Sequence, residues 1–258
     1  MAVTSPPRLS ALVRKLQADS KLTNEQSAAI LALPAIFREF RAGQEVVREG
    51  DRPSQCCLIL DGLACRFKIV GDGARQIHSY HIVGDIPDLQ SLHLARMDHN
   101  LACLRSTQVA FITHTALREL IKVHPNVGQK LWRETLIDAS IFREWMSNIG
   151  RRPAITRIAH VLCELLVRYR AMGLAQDMVI PQPITQTELG DAQGLSTVHV
   201  NRSMQELKDE GLAVLSGRNI KILDYERLAE IGDFDPAYLH LCEMPDMIEA
   251  RAYTDRCN

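Results

Sequence analysis

Residues 184–211 read ITQTELGDAQGLSTVHVNRSMQELKDEG, and the reading of the whole chain turns on them. Thr185 followed three positions later by Glu188 is a capping box, which starts a short helix at about Gln186. Gly190 is small enough for a second helix to cross at close range. Gly194 stands where the turn between them needs a backbone free to take positive φ. Ser196 caps the second helix, and Val200, Met204 and Leu207, at i, i+4 and i+7, form its stripe for burial. At 100° per residue the opposite side carries Val198, Asn201, Arg202 and Gln205. Those residue types suit base edges in a major groove. Arginine takes guanine, asparagine or glutamine takes adenine, and an exposed valine meets the methyl group of thymine. The stretch is predicted to be a helix-turn-helix that reads double-stranded DNA.

The flanks extend this reading. Beyond Gly211, Leu212–Leu215 and Asn219–Leu223 are strands on either side of Ser216-Gly217-Arg218, a hairpin or wing whose Arg218 and Lys221 suit phosphates. Upstream, Val179 to Pro183 is an extended lead-in. The helix Ala154 to Met172 before it keeps Ile155, Ile158, Ala159, Leu162, Leu165 and Leu166 on one side, and Gly173 stops it. Arg151-Arg152-Pro153 is a hinge. Before the hinge, Pro125 marks the first turn of a long helix running to about Ile149. Leu131, Trp132, Leu136, Ala139, Phe142, Met146 and Ile149 recur along it at spacings of three and four. One small domain cannot cover so much apolar surface, so a second copy of the chain is expected there, with Trp132, Phe142 and Trp145 as anchors.

Toward the amino terminus the texture changes. Residues 8–33 read as helical, with Leu9, Leu12, Val13 and Leu16 in one turn set and Ile30, Leu31 and Leu33 in another. From Ala35 onward, turn signals such as Ala42-Gly43, Gly50-Asp51, Asp61-Gly62, Gly71-Asp72-Gly73 and Gly84-Asp85 separate short strands. The strands expected are Glu45–Arg48, Cys57–Leu60, Leu63–Val70, Gln76–Ile82, Leu101–Arg105 and Gln108–Thr113. This punctuation describes an all-β roll large enough to enclose one ligand, not a βαβ layout. The fold class is therefore α+β: a jelly-roll-like sensor domain over 1–124 with its amino-terminal helices, a dimerisation helix over 125–150, a winged helix-turn-helix over 151–223, and a tail over 224–258.

Composition agrees. Of 258 residues 46% are hydrophobic, and the net charge is −1, so any nucleic-acid contact must come from a local patch. Residues 151–222 hold nine Lys/Arg against seven acids. No apolar run reaches the ~18 residues that span a bilayer, and the first residues lack a signal-peptide core, which points to the cytoplasm. Seven cysteines at irregular spacing do not form a disulfide framework. Of the adjacent pair Cys56-Cys57, alternation puts one thiol inside a strand and one outside. His78, His81, His93 and His99 read as surface histidines.

With a roll, a connecting helix and a winged helix in this order, the chain resembles the CRP/FNR superfamily of bacterial transcription regulators over roughly residues 35–223. Phe40-Arg41-Ala42-Gly43-Gln44 through Arg48-Glu49-Gly50-Asp51, and Leu189 through Arg202 with its wing, carry the resemblance. It implies a homodimer on promoter DNA, with RNA polymerase as a possible further partner. It places the base-reading side chains at Thr197, Val198, Asn201 and Arg202, to which Ser196, Gln205, Arg218 and Lys221 add contacts. Val198 stands where many members have glutamate, so the target sequence differs from the common one.

The resemblance also implies an effector. Members that bind cyclic AMP use an arginine and a Gly-Glu pair. Here Gly84, Asp85 and Asp88 occupy that segment, and Arg96, beside Asp98, is the only arginine at the required distance. Members with an iron–sulfur cluster have closely spaced amino-terminal cysteines, whereas the first cysteine here is Cys56. The effector is left unassigned, and no metal site is expected. A second functional class is a cyclic-nucleotide-binding regulatory module acting through protein partners, which leaves the outward Asn201 and Arg202 without a purpose. No nucleophile–base pair, metal-ligand cluster or phosphate-cradling loop marks an enzyme.

Overall fold

A computed structural model of the chain describes residues 8–18, 21–175, 177–181, 184–216 and 219–241. These residues cluster into two units. The first comprises the chain up to Arg66 with Tyr80–Leu136. The second comprises Phe67–Ser79 with the chain from Ile137 on.

In the first unit α1 (Ser10–Leu16) and α2 (Asn24–Leu31) precede the roll. The α2 start is a capping box in which Thr23 Oγ1 accepts from the Gln26 amide and Gln26 Oε1 from the Thr23 amide. The strands follow as β1 (Ala35–Phe40), β2 (Glu45–Val47), β3 (Gln55–Asp61), β4 (Ala64–Ile69), β5 (Arg75–His81), β6 (Asn100–Cys103) and β7 (Thr107–Thr113), of which the β4–β5 hairpin from Phe67 to Ser79 belongs to the second unit. One sheet has the order β1-β7-β3, antiparallel throughout, with Phe40 opposite Thr107 and Cys57 opposite Phe111. The other has the order β2-β6-β4-β5. A 3₁₀ turn, Leu89–Leu92, lies between β5 and β6. The strand β1 was not among the segments expected. Its middle residues are exposed on both faces, so it carries no burial alternation to read.

Two cores lie on either side of β3. Cys56 and Leu58 pack with Leu12, Leu16, Ile30 and Leu117, while Cys57 and Ile59 pack with Val47, Leu101 and Phe111. Alternation does send Cys56 and Cys57 to opposite faces, as period-2 geometry demands. Both faces are covered, however, so both thiols are buried and the expectation of one outside is corrected. Burial pushes the Cys56 thiol up to about 12, which leaves it an inert core group. His81 and His99 are likewise buried rather than on the surface.

After α3 (His114–Val123), α4 (Pro125–Arg151) runs for 27 residues. It begins at a proline because the first turn has no use for that amide. Its periodicity resolves into two stripes. Leu131, Ile137, Ile141 and Trp145 are buried within the chain, while Trp132, Leu136, Phe142 and Met146 are exposed, as is Ala139. Of the expected dimerisation residues, Leu131 and the anchor Trp145 therefore face the chain's own interior, and Ile149 is half-buried.

The second unit is built on α5 (Ala154–Ala171), which is buried from Ile158 through Tyr169. The short strand β8 (Val179–Ile180) leads to α6 (Gln186–Gln193) and α7 (Thr197–Asp209). The strands β9 (Ala213–Ser216) and β10 (Asn219–Ile222) follow, then α8 (Tyr225–Ile231) and a 3₁₀ turn, Pro236–Leu239. The wing sheet has the order β8-β10-β9, so the lead-in strand became its third member. The tip residues Gly217 and Arg218 lie outside the described residues.

Candidate nucleic-acid interface

Each local signal in 184–211 has a physical counterpart. Thr185 Oγ1 accepts from the Glu188 amide at 3.2 Å and Glu188 Oε2 from the Thr185 amide at 2.7 Å, so the capping box closes in both directions. Gly194 ends α6 in the left-handed region, at φ 62° and ψ 39°. A Cβ on Gly190 would lie 2.5 Å from the Leu195 carbonyl oxygen, so only glycine lets the turn fold back this closely. Ser196 Oγ accepts from the His199 amide at the start of α7.

The helix so placed buries Val200, Ser203, Met204 and Leu207. Its other side leaves Ser196, Thr197, Val198, Asn201, Arg202 and Gln205 exposed, and Val198 is 76% exposed. An exposed valine between polar neighbours is suited to contact with a thymine methyl. Asn201 Nδ2 donates to Gln186 Oε1 at 3.2 Å, which holds the amide against α6. Gln205 Nε2 donates to Asp209 Oδ1 at 2.7 Å, a local tie that DNA would have to replace. Lys221 is exposed on β10.

The end of α6 is held from behind. The buried Asn148 Nδ2 of α4 donates to Gln193 Oε1 at 2.8 Å, and Arg157 Nη1 of α5 donates to the Gln193 carbonyl at 3.0 Å. Arg75, near the tip of the β4–β5 hairpin, places Nε and Nη2 each 2.8 Å from Asp191 Oδ2 on α6. None of these three supports was visible in the sequence, because the partners are more than thirty residues apart and follow no motif.

The effector candidates fare differently. Asp88 is 1% exposed, and its Oδ1 accepts from the Cys57 amide at 2.8 Å. Burial raises its carboxyl to about 7. Asp85 Oδ2 accepts from the Ile82 amide, and Asp85 Oδ1 lies 2.9 Å from Lys15 Nζ of α1, which also reaches Glu134 Oε2 at 3.4 Å. The Gly84 amide donates to the Ile59 carbonyl, and Arg96 is exposed. A cyclic nucleotide's phosphate needs cationic or N–H groups free to receive it. This segment instead presents carboxylates, Asp85 held by the Ile82 amide and by Lys15, and Asp88 buried with Oδ1 on the Cys57 amide. These residues do not fit a cyclic nucleotide, and Gly84, Asp85, Asp88 and Arg96 are withdrawn as its site. An open pocket of about 470 Å³ in the first unit is lined by Leu92, Arg118, Lys122 and Trp132 among others, and by none of those four.

Comparison with known proteins bears on both units. Residues 156–231 match the family described as Crp-like helix-turn-helix domain, and residues 37–124 match the cyclic nucleotide-binding domain family. The chain is 29% identical over 217 residues to the transcriptional activator protein FnrL of Cereibacter sphaeroides, covering 80% of this chain and 84% of that one. It is 24% identical to the nitrogen fixation regulation protein FixK of Bradyrhizobium diazoefficiens, over 73% and 78% of the two chains. Among solved structures, FixK2 from Bradyrhizobium japonicum superposes with a TM-score of 0.70 at 25% identity, over 77% of this chain and 98% of that one.

Proposed function

Because the chain belongs to the CRP/FNR superfamily of transcription regulators, we propose that it works as a homodimer whose two copies of α7 read the halves of a promoter palindrome. As a DNA-binding regulator of this type, it would place its two reading helices in half-sites one helical turn apart, about 34 Å. The observation that carries the reading is the division of α7, with Val200, Met204 and Leu207 inside and Val198, Asn201 and Arg202 outside. The exposed stripe Trp132, Leu136, Ala139, Phe142 and Met146 on α4 supports a second copy as partner. Relatives named transcriptional activators support activation, with RNA polymerase as the further partner and the cytoplasm as the place of work.

Selection of duplexes from a random-sequence pool by the purified protein tests this. The expected product is a palindrome, and recovery of no preferred sequence overturns the reading. Arg202→Ala should then weaken the selected site by about 1–3 kcal/mol relative to random DNA, as loss of a guanine contact would, with thermal stability unchanged. Equal weakening on both DNAs reduces Arg202 to a phosphate contact.

A further inference from the structure

The helix-turn-helix match ends at Ile231, and the chain beyond it turns back onto the hinge. Arg152, between α4 and α5, is the first point of attachment. Its Nη1 donates to Glu144 Oε1 of α4 at 2.6 Å. Its Nε and Nη2 donate to Asp233 Oδ2 at 3.0 and 2.8 Å, and Nη2 also reaches the Asp233 carbonyl at 3.2 Å.

The second attachment is buried. His160 of α5 is fully enclosed, with Nδ1 3.0 Å from the Gly232 carbonyl oxygen and Nε2 3.1 Å from the Tyr238 hydroxyl. The Tyr238 ring stacks on the imidazole at 5.8 Å between centroids, and Phe234 meets it edge-on at 5.1 Å. Tyr238 donates its hydroxyl proton to Glu164 Oε2 at 2.8 Å. That same oxygen accepts from Trp145 Nε1 of α4, also at 2.8 Å, while Glu164 Oε1 accepts from Arg168. Gly232 is where the segment crosses α5. A Cβ there would lie 2.8 Å from the His160 amide nitrogen and 3.1 Å from the Ala159 carbonyl carbon.

One segment, 232–239, thus holds two residues of α5 directly and meets Glu144 and Trp145 of α4 through shared partners, Arg152 and Glu164. A buried carboxylate with three donors and an arginine with a two-pronged grip fix geometry more sharply than apolar packing does. Since α5 packs on α7, whatever sets the angle between α4 and α5 also sets where the reading helix stands relative to the long helix.

We propose that residues 232–239 are a strap that fixes the angle at which α5 leaves α4, so that Asp233 and Tyr238 position the reading head without touching DNA. The proposal rests on the reading of the chain as a dimeric regulator on a palindrome, in which a fixed angle becomes a fixed spacing between half-sites.

The test uses the full chain and the palindrome that it selects, alongside the same palindrome with one base pair added to or removed from its centre. The wild-type protein should prefer the selected spacing at least tenfold. Tyr238→Phe and Asp233→Asn should each lower that preference at least threefold while leaving affinity for a single half-site unchanged. Backbone amides of residues 148–157 should exchange with solvent several-fold faster in both variants. A spacing preference that survives in variants with faster exchange overturns the positioning role, and unchanged exchange overturns the strap. Asp233, whose side chain is 75% exposed, gives a variant that keeps its core even where Tyr238→Phe fails to fold. Should the wild-type protein select no DNA, the functional reading fails. Exchange at the hinge then still decides whether the strap exists.

Discussion

The polar residues of α7 and those of the β5–β6 segment are handled in opposite ways. On α7, Thr197, Asn201 and Arg202 face solvent, and the helix is anchored by apolar residues on its other side. In the first unit, Asp85, Asp88 and Lys15 turn inward and bind the chain's own amides and charges. An outward polar face contributes little to folding and is free to meet a partner. An inward one is part of the fold, and any ligand would first have to break it. The stretch from Gly84 to Asp88 is thus part of the fold, while the outer side of α7 is surface.

The contrast predicts where substitutions will be felt, and the largest effect should come from Asp88. Its carboxyl stands at 3.8 in the unfolded chain and about 7 in the fold. The folded state keeps its proton while the unfolded chain loses it, so stability falls as pH rises across that interval, by up to about 4 kcal/mol. Asp88→Asn keeps an oxygen for the Cys57 amide and cannot ionise. Urea titrations of both proteins from pH 4 to 8 should show the wild-type losing ground to the variant toward high pH. Parallel curves would mean that burial does not shift the Asp88 carboxyl.

Next in size is Lys15. Lys15→Met leaves Asp85 and Glu134 without their shared cation and should cost about 3 kcal/mol in urea denaturation. If the loss is negligible, these acids reach solvent and the inward description is wrong. The smallest effect belongs to the reading head's frame. Thr185→Ala removes one half of the α6 cap and should cost about 1 kcal/mol, read in the melting temperature. It should leave the selected DNA sequence unaltered, because Thr185 frames the face without belonging to it.

What could be read from residue order was what neighbours in sequence decide. Caps at Thr185 and Ser196, the left-handed turn at Gly194 and the buried stripe of α7 depend on residues within a few positions of one another. The roll's turns were legible for the same reason. What failed depended on distant covering. Cys56 and Cys57 alternate as expected, yet a second sheet and the amino-terminal helices enclose both faces of β3. Trp145 repeats with the apolar stripe of α4, but Glu164, nineteen residues on, takes its indole N–H into the chain's own interior. The effector residues looked available because nothing near them in sequence announced Lys15. Likewise, nothing in the polar tail announced that Tyr238 would return to His160.

That return has a bearing on how the molecule is made. Arg152 and Asp233 are 81 positions apart, so the loop they close can form only after the whole winged helix has left the ribosome. Until Tyr238 has emerged, a nascent chain can display a folded reading helix on an unstrapped hinge. On the strap proposal, the angle at the hinge is therefore fixed only after the reading helix has folded.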